Sequence, residues 1–170
     1  MREMNEYSKI KEVAIRSPLQ GFVSEEKLSR EWEPLRFHAK PHLEKAIVEF
    51  NYFRNLLLEE EIEIVDLPSS DLLTIDSIYT RDSILISKAG LILCNMGRES
   101  RTPEANENYR TLAKKGYEIA GQIKAPGTLE GGDFIWIDDN HAAVGLGPRT
   151  NLDGIEQLKK ILGSEVDLHI

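Results

Sequence analysis

The sequence predicts an α/β fold, a propeller of about three ββαβ-like blades packed around a common axis. Short β-branched runs alternate with amphipathic helical runs along the whole chain. This pattern returns at a spacing of about fifty residues, which indicates an internal repeat. Glycine and proline stand where one element ends and the next begins. The alternative is an ordinary three-layer α/β fold with one continuous sheet.

Composition narrows the class of protein and its partners. The chain has 170 residues, of which 41% are hydrophobic and 29% charged, so we expect a single globular domain over residues 1–170. The net charge of −8 disfavours nucleic acid and anionic membranes as partners. One cysteine excludes an internal disulfide, and residues 1–7 contain no signal-peptide core. We therefore predict a cytoplasmic protein.

The first predicted blade covers about residues 8–68. Residues 11–15 read as a strand, residues 19–30 as a loop or short helix, and residues 62–65 as a second strand. Pro41 is predicted to open the long helix between the strands, because the first helical position needs no N–H. Its apolar face is predicted at helical spacing from Leu43, Ala46, Ile47, Phe50, Phe53 and Leu57.

The second blade, about residues 74–124, is predicted as a hairpin, a helix and a strand. The hairpin strands are residues 83–87 and 91–95. Thr102 is the predicted N-cap of the helix, with Pro103 at its first position, and Gly116 ends it.

The third blade, about residues 128–170, repeats this order. A hairpin of residues 134–137 and 141–146 is followed by a helix that Thr150 or Asn151 can cap. Gly163 ends the helix, and residues 166–170 form the last strand.

The run Glu130-Gly131-Gly132-Asp133 is the most informative short segment. In a regular strand, two residues three apart point to opposite faces. The two glycines permit a bend that turns both carboxylates towards one cavity, where they suit a flat cation with several donors, such as guanidinium. The alternative is a surface turn with two solvated acids.

Four sequence blocks follow one another along the chain: residues 76–82 with Thr80-Arg81-Asp82, then Arg101, residues 129–133, and residues 147–151. Together they resemble the guanidino-modifying enzymes of the pentein fold, which include dimethylarginine dimethylaminohydrolases, arginine deiminases and amidinotransferases. The resemblance covers the chain from about Val13 onward and implies a pentein-type α/β propeller.

The resemblance implies a role for each of four acids. Asp82 matches the acid that holds the substrate guanidinium, and Glu130 matches the second guanidinium-binding acid. Asp133 matches an acid of the same motif that supports the site by hydrogen bonding. Asp76 matches an acid near the amino acid end of the substrate.

Two arginines match the residues that hold the substrate carboxylate. They are Arg101, for which Arg98 is the alternative, and Arg149. This assignment suits a substrate that is cationic at one end and zwitterionic at the other, because arginine binds carboxylates in a bidentate manner. The resemblance implies no metal and no organic cofactor.

The chain also departs from the family, whose members use a nucleophilic cysteine near the C-terminus and a histidine as general acid and base. Cys94 lies in a run that reads as a buried strand, where a thiol is usually inert. The sequence separation between Glu130 and His169 is shorter than the separation between the matching glutamate and the catalytic histidine in the family. The remaining histidines match no family site: His38, His42 and His141. The chain resembles the N-terminal three-fifths of such an enzyme, without the nucleophile and the general base.

We therefore expect a guanidino-compound hydrolase of the dimethylargininase or arginine deiminase type, acting on arginine or a methylarginine. An amidinotransferase is the alternative, and a non-catalytic pentein binding module is the alternative of another class. Taken alone, the chain is expected to be catalytically silent. An open axis would favour self-association or association with the missing C-terminal segment.

Overall fold

The computed structural model describes residues 4–170, and over these residues eight strands form three separate sheets. No continuous sheet joins them, so the three-layer alternative is wrong. The strands are β1 (Glu12–Ile15), β2 (Glu63–Asp66), β3 (Ile84–Ser87), β4 (Gly90–Leu93), β5 (Ile119–Gln122), β6 (Phe134–Trp136), β7 (His141–Val144) and β8 (Asp167–His169).

Five α-helices connect the strands over the same residues. None of them has the length and apolar character that crossing a membrane requires. The helices are α1 (Pro18–Gly21), α2 (Glu25–Glu31), α3 (Leu43–Glu59), α4 (Glu104–Lys114) and α5 (Leu152–Leu162).

The described chain divides into two compact units. One comprises residues 10–80, and the other comprises residues 81–170 together with residues 4–9. The three sheets lie within the ranges predicted for the three blades. The single domain over residues 1–170 stays a prediction.

The unit of residues 10–80 contains the parallel pair β1 and β2, joined by a connection that includes α3. Parallel neighbours need such a long crossover, and a helix usually provides it. A small apolar core lies in this unit, formed by Phe22, Leu28 and Ile75, with Trp32 and Ile78 packed against it.

Helix α3 differs from its prediction at both its start and its apolar face. It begins at Leu43, with His42 as N-cap, so Pro41 precedes the cap rather than opening the helix. None of its residues is buried, and Phe53, predicted on the inner face, is 48% exposed. The other five residues of the predicted face are partly buried.

The other unit holds two blades of identical topology. In each, an antiparallel hairpin is followed by a helix and then by a strand parallel to the second hairpin strand. The orders are β3-β4-β5 with α4 and β6-β7-β8 with α5. One core joins the two sheets and α5. Its buried members are Leu85, Ile92, Cys94, Met96, Ile123, Leu129, Phe134, Trp136, Ala142, Val144, Ile155 and Leu158.

The helix ends confirm one predicted cap and correct another. Asn151 caps α5, since its side-chain oxygen accepts from the Gly154 N–H at 2.8 Å. The predicted Thr102 cap of α4 is wrong, because Pro103 occupies the N-cap position. Thr102 instead donates its hydroxyl to the carbonyl of Glu99 at 2.8 Å, within a preceding 3₁₀ turn. Gly116 follows α4 with a φ of +83°, as a C′ glycine should.

Replacement of Gly154 should measurably destabilise the protein. A Cβ at this position would lie 2.0 Å from the Thr128 carbonyl oxygen. Gly154→Ala would therefore push helix α5 away from that carbonyl. We expect a loss of about 1–3 kcal/mol in the free energy of unfolding, measured by urea denaturation. Gly147→Ala is the control, since nothing lies within 4 Å of its Cβ position. Equal midpoints for the two variants would contradict the packing described.

Candidate functional site

The segment Glu130-Gly131-Gly132-Asp133, here called the acidic turn, forms a tight turn directly before β6. Gly131–Asp133 is a 3₁₀ turn in which the Asp133 N–H donates to the Glu130 carbonyl at 3.0 Å. A Cβ on Gly132 would lie 2.8 Å from Oδ1 of Asp82. The turn therefore lies against the Asp82 side chain, whose carboxylate would have to shift to admit a side chain at Gly132.

The Thr150 hydroxyl connects the two acids of the turn. It accepts from the Glu130 N–H at 3.1 Å and donates to Oδ2 of Asp133 at 2.6 Å. Asp133 thus holds the threonine that in turn holds the backbone of Glu130. From the sequence, Thr150 was predicted only as a possible helix cap, and no sequence pattern indicated this contact.

The Glu130 carboxylate is buried and surrounded by donors, with 7% of the residue exposed. Its Oε1 accepts from the Gly97 N–H at 3.1 Å and from Nη1 of Arg149 at 2.9 Å. Its Oε2 lies 3.7 Å from Nη1 of Arg101. Glu130 therefore belongs to an ion-pair network rather than to a solvated turn.

Arg101 is the centre of that network. Its Nη1 donates to Oδ2 of Asp82 at 2.8 Å. Its Nε and Nη2 donate to the two oxygens of Glu104 at 2.8 and 2.9 Å, a bidentate pair. Burial alone would lower the pKa of Arg101, but the hydrogen bonds and charges of Glu104 and Asp82 outweigh it and raise the pKa above its usual value. Arg101 is therefore permanently charged.

Glu104 is a second member of this network, besides Thr150, that was not predicted from the sequence. It is fully buried in the first turn of α4, three residues after Arg101. That spacing puts two helical side chains side by side, and it was the available signal. An acid in a first helical turn also has a simpler explanation, because it complements the helix dipole.

The structure brings together four of the six predicted site residues. Two of them, Asp82 and Arg149, are partly exposed, with 23% and 32% of their side chains accessible. The other two, Arg101 and Glu130, are buried. Asp133 stands behind this group through Thr150. Asp76 is buried in a 3₁₀ turn, Ile75–Ile78, of the unit of residues 10–80.

The site cluster, as we call this group together with Asp133 and Glu104, contains more acidic than basic side chains. Four carboxylates, including Asp133, accompany two guanidinium groups, which leaves an excess of two negative charges. Such a site attracts a small cation. Within residues 4–170, no three His, Cys, Asp or Glu side chains are arranged to hold a metal ion.

Cys94 follows β4 directly and is buried. Burial raises the pKa of its thiol, and the nearby negative charges of Asp82 and Glu130 raise it further, although Arg81 opposes them. A thiol in this environment stays protonated, and the thiolate is the reactive form.

Comparison with known proteins identifies relatives over most of the chain. A profile of the family described as N,N dimethylarginine dimethylhydrolase, eukaryotic, matches residues 24–167. The N(G),N(G)-dimethylarginine dimethylaminohydrolase of Pseudomonas aeruginosa is 31% identical over 123 residues, covering 72% of this chain and 48% of that protein. The enzyme of the same name from Streptomyces coelicolor is 33% identical over 84 residues, covering 49% of this chain and 32% of that protein. The chain spans about half the length, or less, of these curated relatives.

Solved structures confirm the predicted pentein-type α/β propeller. A dimethylarginine dimethylaminohydrolase variant bound to S-methyl-L-thiocitrulline has a TM-score of 0.78 and 27% identity, covering 94% of this chain and 60% of that one. A cysteine-to-serine variant of the Pseudomonas aeruginosa enzyme, complexed with citrulline, has a TM-score of 0.76 and 26% identity, with the same coverage. An amidinotransferase from Microseira wollei shares the fold at 19% identity, with a TM-score of 0.74, covering 99% of this chain and 61% of that one.

Removal of the Glu104 charge should strongly destabilise the protein. Glu104→Gln leaves the buried Arg101 guanidinium without its bidentate carboxylate, and losing one partner of a buried pair costs about 3–5 kcal/mol. The control is Glu49→Gln, which breaks an ion pair with Lys45 on helix α3, where the two side chains are 67% and 74% exposed. Such a surface pair contributes about 0–1 kcal/mol. Urea denaturation of both variants measures the difference, and similar losses would contradict the buried network.

Cys94 should resist alkylation in the folded protein. Burial excludes the reagent, and the raised pKa of the thiol keeps the thiolate scarce until the pH exceeds that raised value. Between pH about 7 and 9, native labelling by iodoacetamide should therefore stay far slower than labelling of a free thiol of pKa about 8.5. Mass spectrometry of native and urea-unfolded samples makes the comparison. Rapid native labelling would show an accessible thiolate.

Proposed function

The chain belongs to the dimethylarginine dimethylaminohydrolase family, and on that premise we propose that it carries the guanidinium-binding part of a dimethylargininase-type hydrolase. The proposed substrate is a small guanidino amino acid, arginine or a methylarginine. The parent reaction is hydrolysis of a C–N bond of the guanidino group through a cysteine nucleophile. No metal or organic cofactor is part of the proposal.

The proposal rests on one observation, that two acids, Asp82 and Glu130, both approach the same nitrogen of Arg101. Asp82 stands 2.8 Å and Glu130 3.7 Å from Nη1 of Arg101. Both carboxylates therefore face a common point where a protein guanidinium group already lies. The excess negative charge around them suits a second, incoming guanidinium group, which can donate to both acids at once.

The remaining predicted residues receive their roles from the family. Arg101 and Arg149 are proposed to hold the substrate carboxylate, and Asp76 to lie near the amino acid end. Arg149 is the more accessible candidate, since about a third of its side chain is exposed. Because its Nη1 now donates to Glu130, it must leave that carboxylate when substrate binds.

In this proposal, the covalent step needs a reactive thiolate that this chain does not supply. Its single cysteine, Cys94, is buried with a raised pKa. We propose that the chain binds and orients the substrate, while a thiolate and a proton-transferring histidine must come from elsewhere. Without a nucleophile, the rate falls by several orders of magnitude.

The first test measures binding to the chain itself. L-Arginine should bind weakly, at roughly millimolar dissociation constants, because partly exposed ion pairs contribute about 0–1 kcal/mol each and association entropy opposes them. Asp82→Asn should weaken binding about tenfold or more, since a hydrogen bond to a charged group contributes about 1.5–3 kcal/mol. NMR titration measures both affinities.

Glu165→Gln is the matched control, because this exposed acid lies in the same unit, outside the cluster. No citrulline should be released from arginine, and Cys94→Ser should change nothing. Turnover that Cys94→Ser abolishes would overturn the proposal and assign Cys94 as the nucleophile.

The second test restores the groups needed for the covalent step. In a chimaera, this chain replaces the matched part of the Pseudomonas aeruginosa enzyme, and release of citrulline from dimethylarginine is measured. Citrulline supports a hydrolase site. Ornithine formed from arginine plus glycine would instead indicate an amidinotransferase, and binding without either product would indicate a non-catalytic module. A folded chimaera that neither binds nor converts any guanidino compound would refute the proposal.

A further inference from the structure

Arg81 makes contacts that no assigned role explains. Its Nη1 donates to the carbonyl of Gly131, and its Nη2 donates to the carbonyl of Phe134 at 2.9 Å. Nη2 also donates to Oε2 of Glu6 at 2.8 Å. One guanidinium group from the segment before β3 therefore binds two carbonyls on either side of Asp133, in the other blade.

The Phe134 carbonyl needs such a donor because β6 is the edge strand of its sheet. The Asp133 carbonyl accepts from the Gly145 N–H, and the Ile137 N–H donates to the His141 carbonyl, both across to β7. Hydrogen bonding alternates along an antiparallel strand, so the Phe134 carbonyl faces away from β7. A guanidinium fork can satisfy this outward carbonyl and the Gly131 carbonyl together, which a single ammonium group cannot do in the same fixed geometry.

The backbones of Arg81 and Gly131 also pack closely against each other. A Cβ on Gly131 would lie 2.3 Å from the Arg81 carbonyl oxygen. The acidic turn therefore rests on the backbone of Arg81 and is also held by its side chain. Asp82 is the next residue in the chain, so the contact joins the segment that carries one guanidinium-binding acid to the turn that carries the other.

We propose that Arg81 is a positioning residue that sets the separation between the carboxylates of Asp82 and Glu130. Glu6 balances its charge, so the N-terminal segment becomes part of the support of the site. This inference rests on the proposed function, because the separation matters only if both acids bind one guanidinium group. It explains why an arginine with 46% of its side chain exposed makes three directed hydrogen bonds.

The test compares two substitutions of Arg81 with a matched control. Arg81→Met removes all three hydrogen bonds, and Arg81→Lys keeps the charge but loses the fork. The control is Arg110→Met, which removes an exposed arginine that pairs with Glu107 at 2.7 Å in the same unit. Affinity for L-arginine is read from the NMR signals of the folded protein, so a loss of stability alone does not change it.

Arg81→Met should weaken L-arginine binding about tenfold, Arg81→Lys should recover only part of the loss, and Arg110→Met should leave it unchanged. The amide shifts of Gly131 and Gly132 should move in both Arg81 variants, and the Asp133 amide should exchange faster with solvent. Unchanged affinity, shifts and exchange in Arg81→Met would overturn the inference, as would a lower melting temperature as the sole effect. If the unsubstituted chain binds no guanidino compound, the proposed function fails, and the amide shifts and exchange still test the positioning contact.

Discussion

The buried guanidinium group of Arg101 is the constraint on which the candidate site depends. A charge out of water is costly unless it is fully paired, and Arg101 meets that condition through Glu104, Asp82 and the more distant Glu130. These partners come from helix α4, from the segment before β3 and from the turn before β6. The 3₁₀ turn Glu99–Arg101 and the start of α4 put arginine and glutamate side by side. Each contributing segment is therefore tied to the same charge.

The repeat of the two blades explains why acids from distant segments meet. Asp82 comes shortly before the first strand of one blade, and the Glu130 turn comes directly before the first strand of the next. Because both sheets have the same strand order and share one core, equivalent ends of the two hairpins lie near each other. The Thr150 and Arg81 contacts then fix the local geometry. The fold brings the segments together, and individual hydrogen bonds orient the carboxylates.

Periodic features of the sequence predicted the blades well, because hairpins and amphipathic helices leave strong local patterns. The Asn151 cap and the Gly116 end were predictable for the same reason, since each depends on a few neighbouring residues. The prediction of Thr102 as the cap of α4 was wrong, because its hydroxyl donates to a carbonyl of the 3₁₀ turn before α4. Thr150 was missed because its partners, Glu130 and Asp133, lie in a segment that only the tertiary fold brings close. Glu104 was missed although its partner Arg101 is three residues away, because the sequence does not show that this pair is buried. An acid at a helix start looks the same in sequence whether it is solvated or buried.

Internal ion pairs also bear on which guanidino compounds the proposed site would favour. Oε1 of Glu130 is already occupied by Arg149, so an incoming guanidinium group replaces one ion pair with another instead of adding one. A ligand that also carries a carboxylate gives the displaced Arg149 a new partner, and the number of ion pairs then rises. A simple alkylguanidine offers no such partner and leaves Arg149 unpaired in a partly buried place. In the proposed site, the exchange would therefore favour guanidino amino acids, and the selectivity would follow from the displaced arginine as much as from the two acids.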